Sequence, residues 1–136
     1  MNEPTPNEIM ASYAANAVNF AKTNFGISLD FTIESVAKVE IIANGLFYMR
    51  PKGFIAKLFR KQPAENDVQT VCKMLGGYLG EVYRQNKGGE WQINHEHQAI
   101  GLLDGENWIF PLAKVYKRIT NGKKDDLNLF FADIFE

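Results

Sequence analysis

VQTVCKMLGGYLGEVYRQNKGGEW, residues 68–91 of a 136-residue chain, decides the fold. Val68, Val71, Cys72, Leu75, Leu79 and Val82 fall at i, i+3, i+4, i+7, i+11 and i+14, which predicts a long helix with one continuous apolar stripe. Asn66 can cap its start with Gln69 closing a capping box, and Gly88 suits the left-handed residue after its last turn. Within the helix lie Gly76, Gly77 and Gly80. Each costs about 1 kcal/mol against alanine in an exposed helix interior, so close packing must offset roughly 3 kcal/mol. Gly76 and Gly80 stand one turn apart and are expected to face packed backbone. In a membrane this spacing would suggest helix dimerisation, but Lys73, Glu81 and Arg84 exclude a hydrocarbon setting. A dinucleotide-binding loop is excluded as well, because its glycines must follow a strand and open a helix, whereas these lie three turns inside one.

Working outward, the chain is long enough to build one domain over 1–136 with a core that needs no disulfides. With 15 basic and 16 acidic residues it has no global pull toward nucleic acid or an acidic membrane, so any basic site is local. Cys72 is the single cysteine and sits on the apolar stripe, beyond the first turn where the helix dipole lowers a thiol pKa. It reads as a small buried hydrophobe. The first residues, MNEPTPNEIM, lack the charged and apolar regions of a signal peptide, and no apolar run nears 20 residues, so a cytoplasmic protein is expected.

Upstream, Thr5-Pro6-Asn7-Glu8 has the form of a capping box with proline at the first helical position, and Ile9, Tyr13, Ala17 and Phe20 set the face of the helix that follows. Asn24-Phe25-Gly26 stops it. Thr32 can cap a second helix with Val36, Val39, Ala43 and Leu46 inward, which Asn44-Gly45 should weaken; its β-branched residues leave a strand over Val39–Ile42 as the alternative. Arg50 to Lys61, RPKGFIAKLFRK, is the one local basic patch. It reads as a short amphipathic segment that either packs its aromatics or meets a polyanionic surface, and Pro63 ends it.

Downstream of Gly88-Gly89 the period shifts from 3.6 to 2. Glu90–Ile93, Ala99–Leu103 and Asn107–Phe110 predict three strands, with Asp104-Gly105 as a type I′ hairpin signal. Pro111 then opens a helix with Leu112, Val115, Tyr116 and Ile119 inward and Gly122 as its stop. Asp125 or Asp126 starts a last helix with Leu127, Phe130, Phe131 and Ile134 on its apolar face. The fold expected is α+β, about five helices packed around a small three-stranded antiparallel β-meander.

Residues that could carry chemistry are few. His95 and His97 would share a face in a strand, but two ligands without a further Cys/His cluster do not complete a metal site, and a polar loop between the first two strands is the better reading. No metal and no cofactor are expected. Glu81 and Arg84, three apart and off the stripe, read first as an exposed ion pair and alternatively as a partly buried carboxylate held near Gly77 and Tyr78. No second carboxylate stands at a telling spacing, and Ser12, Ser28 and Ser35 lack a nucleophile-elbow context.

Gly77-Tyr78-Leu79-Gly80-Glu81-Val82-Tyr83-Arg84, followed by Gly88-Gly89-Glu90-Trp91, resembles a signature of small bacterial domains of unknown function. The resemblance continues through a hairpin to a proline-opened helix with Pro111, Lys114, Lys117, Arg118, Asn121 and Gly122, and it spans roughly residues 68–122. Some such domains resemble immunity proteins that accompany secreted or contact-delivered toxins. The resemblance implies a short cytoplasmic protein and carries no catalytic residues across.

The function expected is therefore binding of another protein, which the resemblance extends to a toxin domain, without nucleic acid or a membrane span. Trp91 and Trp108 fall on strands of a sheet too small to bury both faces, and either they form an exposed aromatic anchor or both are core. Glu81, Arg84, Lys57 and Arg60 complete the candidate binding set, the last two as electrostatic steering. The alternative is a hydrolase-like enzyme that uses Glu81.

Overall fold

The computed structural model describes residues 3–49 and 67–135. The Asn66 cap and the basic segment with Lys57 and Arg60 lie outside the described residues. Thr5 opens α1 (Pro6–Phe25) as its neighbours dictate: its hydroxyl accepts from the Glu8 amide at 3.1 Å, and the Glu8 carboxylate accepts from the Thr5 amide at 2.8 Å. Met10, Ala14, Ala17, Phe20 and Ala21 form the buried face. Thr32 caps a 3₁₀ turn, Ile33–Ser35, which runs straight into α2 (Val36–Met49). Helix prevails over the alternative strand, and it continues through Asn44-Gly45. Val39, Ile42, Ala43 and Leu46 are all fully buried at helical spacing, and that packing outweighs the β preference of single residues and the cost of one glycine.

α3 (Asp67–Lys87) is the organising element, and it is more deeply set than a one-sided stripe implies: every residue from Met74 to Tyr83 is buried. Gly88 and Gly89, at φ of +99° and +96°, turn the chain back into a three-stranded antiparallel meander of β1 (Glu90–Asn94), β2 (Ala99–Asp104) and β3 (Asn107–Ile109). The β2–β3 hairpin differs from the expected type I′. Gly105 has φ +64° but Glu106 is not in the left-handed region, which matches type II′ with glycine at the first central position. α4 (Pro111–Asn121) follows at once, then a 3₁₀ turn, Lys123–Asp125, and α5 (Leu127–Phe135). Asp126 caps α5, its carboxylate accepting from the Asn128 amide at 2.7 Å and the Leu129 amide at 3.3 Å.

The fold is thus α+β, with five helices among the described residues and the predicted meander. The glycines of α3 explain how so much packs on one helix. A Cβ at Gly76 would stand 2.7 Å from the Leu112 Cα at the start of α4, so backbone meets backbone there as expected. Gly77 faces Met10 and Tyr13 of α1. Gly80, contrary to expectation, faces no backbone: the indole of Trp91 occupies the place of its missing side chain. Tyr116 is a second correction, since it is 45% exposed while Val115 and Ile119 are buried; the buried arc of α4 is narrower than assigned because Arg118 takes part of it.

Phe31, not glycine, sits at φ +63°. Its amide donates to the Tyr78 hydroxyl at 2.7 Å and its ring stacks on Tyr78 at 4.7 Å, which holds the strained backbone in place. Among the described residues no helix is long and apolar enough to cross a membrane.

Candidate functional site

Two of the predicted site residues meet in the interior. Glu81 is 3% exposed, so the expected surface ion pair is not what forms. Its carboxylate accepts from Arg84 Nε at 2.8 Å and Nη2 at 3.2 Å, and from the indole Nε1 of Trp91 at 2.9 Å. The bond to Glu81 holds the Arg84 guanidinium above its usual pKa. The Trp91 amide in turn donates to Asn7 Oδ1 at 2.8 Å. Trp91 is therefore a core residue, not an exposed anchor. Cross-strand register puts it on one face of the sheet with Leu102 and Ile109, all three buried against the helices. Glu81, Arg84 and Trp91 tie α3 to β1, and none of them lines the groove described below.

A second buried cluster lies between α2, α4 and α5. Arg118 is fully buried and its Nε donates to both oxygens of Glu40, at 3.0 and 2.9 Å. Its Nη2 lies 2.8 Å from Glu40 Oε2 and donates to Asn44 Oδ1 at 2.7 Å. Glu40 Oε1 also accepts from the Leu127 amide at 3.0 Å, at the start of α5. Sequence reasoning missed this pair, although its signal was present: Glu40 lies between Val39 and Ile42 on the inner arc of α2, and Arg118 adjoins Ile119 on that of α4.

Trp108 pairs with Leu103 on the opposite sheet face from Trp91. There it forms the wall of an open groove of about 420 Å³ between the end of the meander, α4 and α5. Its ring lies parallel to Phe110 at 5.9 Å, and His97 meets Phe110 edge-on at 5.6 Å. Phe110 in turn lies over Gly101, where a Cβ would come within 2.8 Å of the ring. Ala113, Lys114 and Lys117 come from α4, and Phe130 and Ile134 from α5. Lys114 Nζ stands over the Phe130 ring, 5.7 Å from its centroid.

Of the sequence candidates, then, only Trp108 reaches the groove. Glu81, Arg84 and Trp91 lie together behind the sheet, and Lys57 and Arg60 fall outside the described residues. Lys114 and Lys117 had been noted only as basic residues of the resembled helix, and Phe110, Phe130 and His97 were not assigned to a site. The available signal was the aromatic run of β3, Trp108 to Phe110, followed directly by a helix with two lysines three residues apart. His95 and His97 occupy the turn between β1 and β2, where the His97 amide donates to Asn94 Oδ1 at 2.9 Å. Among the described residues no three His, Cys, Asp or Glu side chains converge as metal ligands. Apolar aromatic walls with a cationic rim can hold a bulky apolar group beside an anion. The chain matches no family model, no curated protein and no solved structure.

Proposed function

We propose that this chain is a cytoplasmic protein-binding module that docks a partner in the groove at Trp108 and itself makes or breaks no bond. One observation carries this reading: the groove is walled by Trp108, Phe110, Phe130 and Ile134, and the polar side chains of its described lining are His97, Lys114 and Lys117, with no carboxylate, hydroxyl or thiol beside them to serve as a catalytic partner. Aromatic residues in a pocket are the anchors on which interface affinity concentrates. A general acid or base, by contrast, needs a partner at the reacting centre, and Glu81 has its carboxylate engaged by Arg84 and Trp91 away from the groove. The groove volume falls within the usual range of ligand sites, which supports a defined anchor over a diffuse contact. The likeness of the Gly77–Trp91 signature to immunity domains adds a toxin domain as the class of partner.

The test is site-directed photo-crosslinking in the native cell, with the crosslinking amino acid in place of Ala99, which is exposed at the edge of the groove. The expected result is one predominant protein adduct, lost when Trp108→Ala is added while the urea midpoint is kept. An adduct indifferent to Trp108→Ala would overturn the proposal, as would turnover of a small-molecule substrate abolished by Glu81→Gln.

A further inference from the structure

The groove has a neighbour. On the other side of α4 a second apolar hollow of about 300 Å³ is walled by Cys72, Leu112 and Tyr116, with Gln69 and Lys73 at its rim. Ala113 and Lys117 line both cavities, so these two side chains form the ridge between them along α4. The charge around the pair is one-sided. Lys73, Lys114 and Lys117 border the two cavities, and among the described residues neither lining contains a carboxylate. Among the described residues none of the three lysines has an ion-pair partner: Lys114 rests over Phe130, and Lys73 over Tyr13 at 5.8 Å. Asp125, Asp126 and Asp133 line a separate small cleft that shares only Lys114 and Phe130 with the groove, so Lys117 and Lys73 keep the larger share of free positive potential.

We infer that the two cavities form one bipartite site for an acidic segment of a partner protein, which inserts one bulky apolar side chain into each hollow, crosses the ridge at Ala113, and sets its carboxylates against Lys117 and its neighbouring lysines. This rests on the binding reading above and names the chemistry of what binds. Two hollows call for two apolar side chains on one face of the segment, because a single side chain cannot enter both around Lys117. An acidic segment is favoured over a neutral one because binding then gives Lys117 and Lys73, which have no ion-pair partner among the described residues, their counter-charges, and complementary charge raises association rate and selectivity. A polyanion such as nucleic acid fits less well, because it offers charge without an aliphatic or aromatic side chain for the hollow at Cys72, and the chain carries a net charge of −1.

The experiment uses the full chain and an array of blocked synthetic peptides. Each carries two apolar residues, drawn from Phe, Trp, Leu and Ile, at every spacing from adjacent to four apart; the flanks are Glu/Asp, Ser/Thr or Lys/Arg, and oligo-dT is spotted alongside. The acid-flanked, doubly apolar peptides should be retained selectively. Replacing either apolar residue by alanine, or introducing Lys117→Glu, should weaken the best peptide about tenfold in fluorescence anisotropy. Lys117→Arg should restore binding. Ala113→Tyr, which raises the exposed ridge, should abolish it without moving the urea midpoint. Best retention of neutral or basic peptides, equal binding of singly apolar peptides, tighter binding of oligo-dT, or indifference to Lys117→Glu would each overturn the inference. If no peptide is retained while the crosslink at residue 99 still depends on Trp108, the bipartite acidic site is wrong and the binding module stands; if that crosslink fails too, the broader reading fails with it.

Discussion

Gly80→Ala should destabilise this protein strongly, although alanine is the better helix former. Propensity alone predicts a gain of about 1 kcal/mol. The space decides otherwise: a Cβ at residue 80 would lie 2.0 Å from Trp91 Cζ2 and 2.4 Å from Cη2. Carbon atoms in contact prefer about 3.5–4.0 Å, so the indole must retreat by roughly 1.5 Å or α3 must part from β1. The ring is not free to retreat. Its Nε1 donates to the buried Glu81 carboxylate at 2.9 Å, and its backbone amide is held by Asn7. Overpacking of this kind costs typically 1–3 kcal/mol, and loss of a hydrogen bond to a charged group adds about 1.5–3 kcal/mol. After the propensity gain is subtracted, a net loss of about 1.5–5 kcal/mol is expected, a fall in thermal midpoint of roughly 5–17 °C for a chain of this size.

The measurement is equilibrium urea unfolding followed by far-UV circular dichroism, with the m-value checked for constancy. Two neighbouring glycines serve as internal controls. At Gly77 the would-be Cβ lies 3.2 Å from both the Cε and the carbonyl oxygen of Met10 and 3.3 Å from the Tyr13 Cβ, so a shift of a few tenths of an ångström suffices and Gly77→Ala should cost far less than Gly80→Ala. At Gly76 it lies 2.7 Å from the Leu112 Cα, and backbone cannot give as a methionine can, so Gly76→Ala should cost more than Gly77→Ala. In a Trp91→Phe background, where the crowding atoms are gone, Gly80→Ala should lose its penalty. A Gly80→Ala protein as stable as the wild type, or one equally penalised with Phe at 91, would refute the steric account.

The other predictions concern the buried polar groups. Glu40→Leu should cost about 3–5 kcal/mol because it strands the Arg118 charge in the core, whereas Glu40→Leu with Arg118→Met should recover most of that loss; urea midpoints decide, and a harmless single variant would sink the argument. Glu81→Gln should destabilise by about 1–3 kcal/mol, since the neutral amide gives up the pairing with Arg84; unchanged stability would show that the Glu81–Arg84–Trp91 tie does not hold β1 to α3. Burial, followed by the Asp104 carboxylate that accepts its proton, pushes the Tyr83 phenol up to about 12, and burial raises Tyr78 as well. A folded pKa above the unfolded value of about 10 means stability that is complete below pH 10 and lost as pH rises from there toward 12. Native-state absorbance near 295 nm should therefore show both phenolates appearing only with unfolding, and reversible ionisation of all five tyrosines near pH 10 in the folded protein would contradict this. Burial likewise pushes the Cys72 thiol up to about 12, so a thiol reagent at pH 8 should label the folded protein far more slowly than the urea-unfolded chain.

How much of this was legible in the sequence depends on which physical signal each feature left. The long helix, the Thr5 box, the meander and the Pro111 start were legible because periodicity, caps and turn residues are local. The course of α2 through Asn44-Gly45 and the depth of α3 were not, because both depend on how many neighbours pack around a helix, which no window of sequence contains. The place of Trp91 is the clearest case. Its alternation along β1 fits either face of the sheet, and what fixes the face is a helical glycine eleven residues earlier whose missing side chain makes room for the indole. Glu40 and Arg118 are 78 residues apart, and although each stands on the inner arc of its helix, nothing local in the sequence pairs one with the other. The groove was half legible: Trp108 was singled out, but Lys114, Lys117 and Phe130 join it only because α4 and α5 fold back past β3.

The polar clusters that do not touch the groove nevertheless determine its shape. Its walls are β3, α4 and α5, and each is fixed by something behind it. Ile109 of β3 shares a sheet face with Trp91, whose ring is pinned by Glu81. α4 is seated at one end by Leu112 against Gly76 and at the other by Arg118 on Glu40, and the same carboxylate holds the first amide of α5. Lys114, Lys117 and Trp108 are thus presented from elements that share buried anchors, which in the proposed binding would lower the ordering cost and narrow what the cavities accept. It follows that a conservative change at the back, Glu40→Gln, should weaken the best acidic peptide even where the protein stays folded, because Leu127 and Arg118 lose their common anchor and α5 can drift from α4. The expected signature is a faster dissociation rate with little change in association rate, since the charges that steer encounter are untouched. Equal dissociation rates for Glu40→Gln and the wild type would mean that the walls of the groove hold their places without the buried pair.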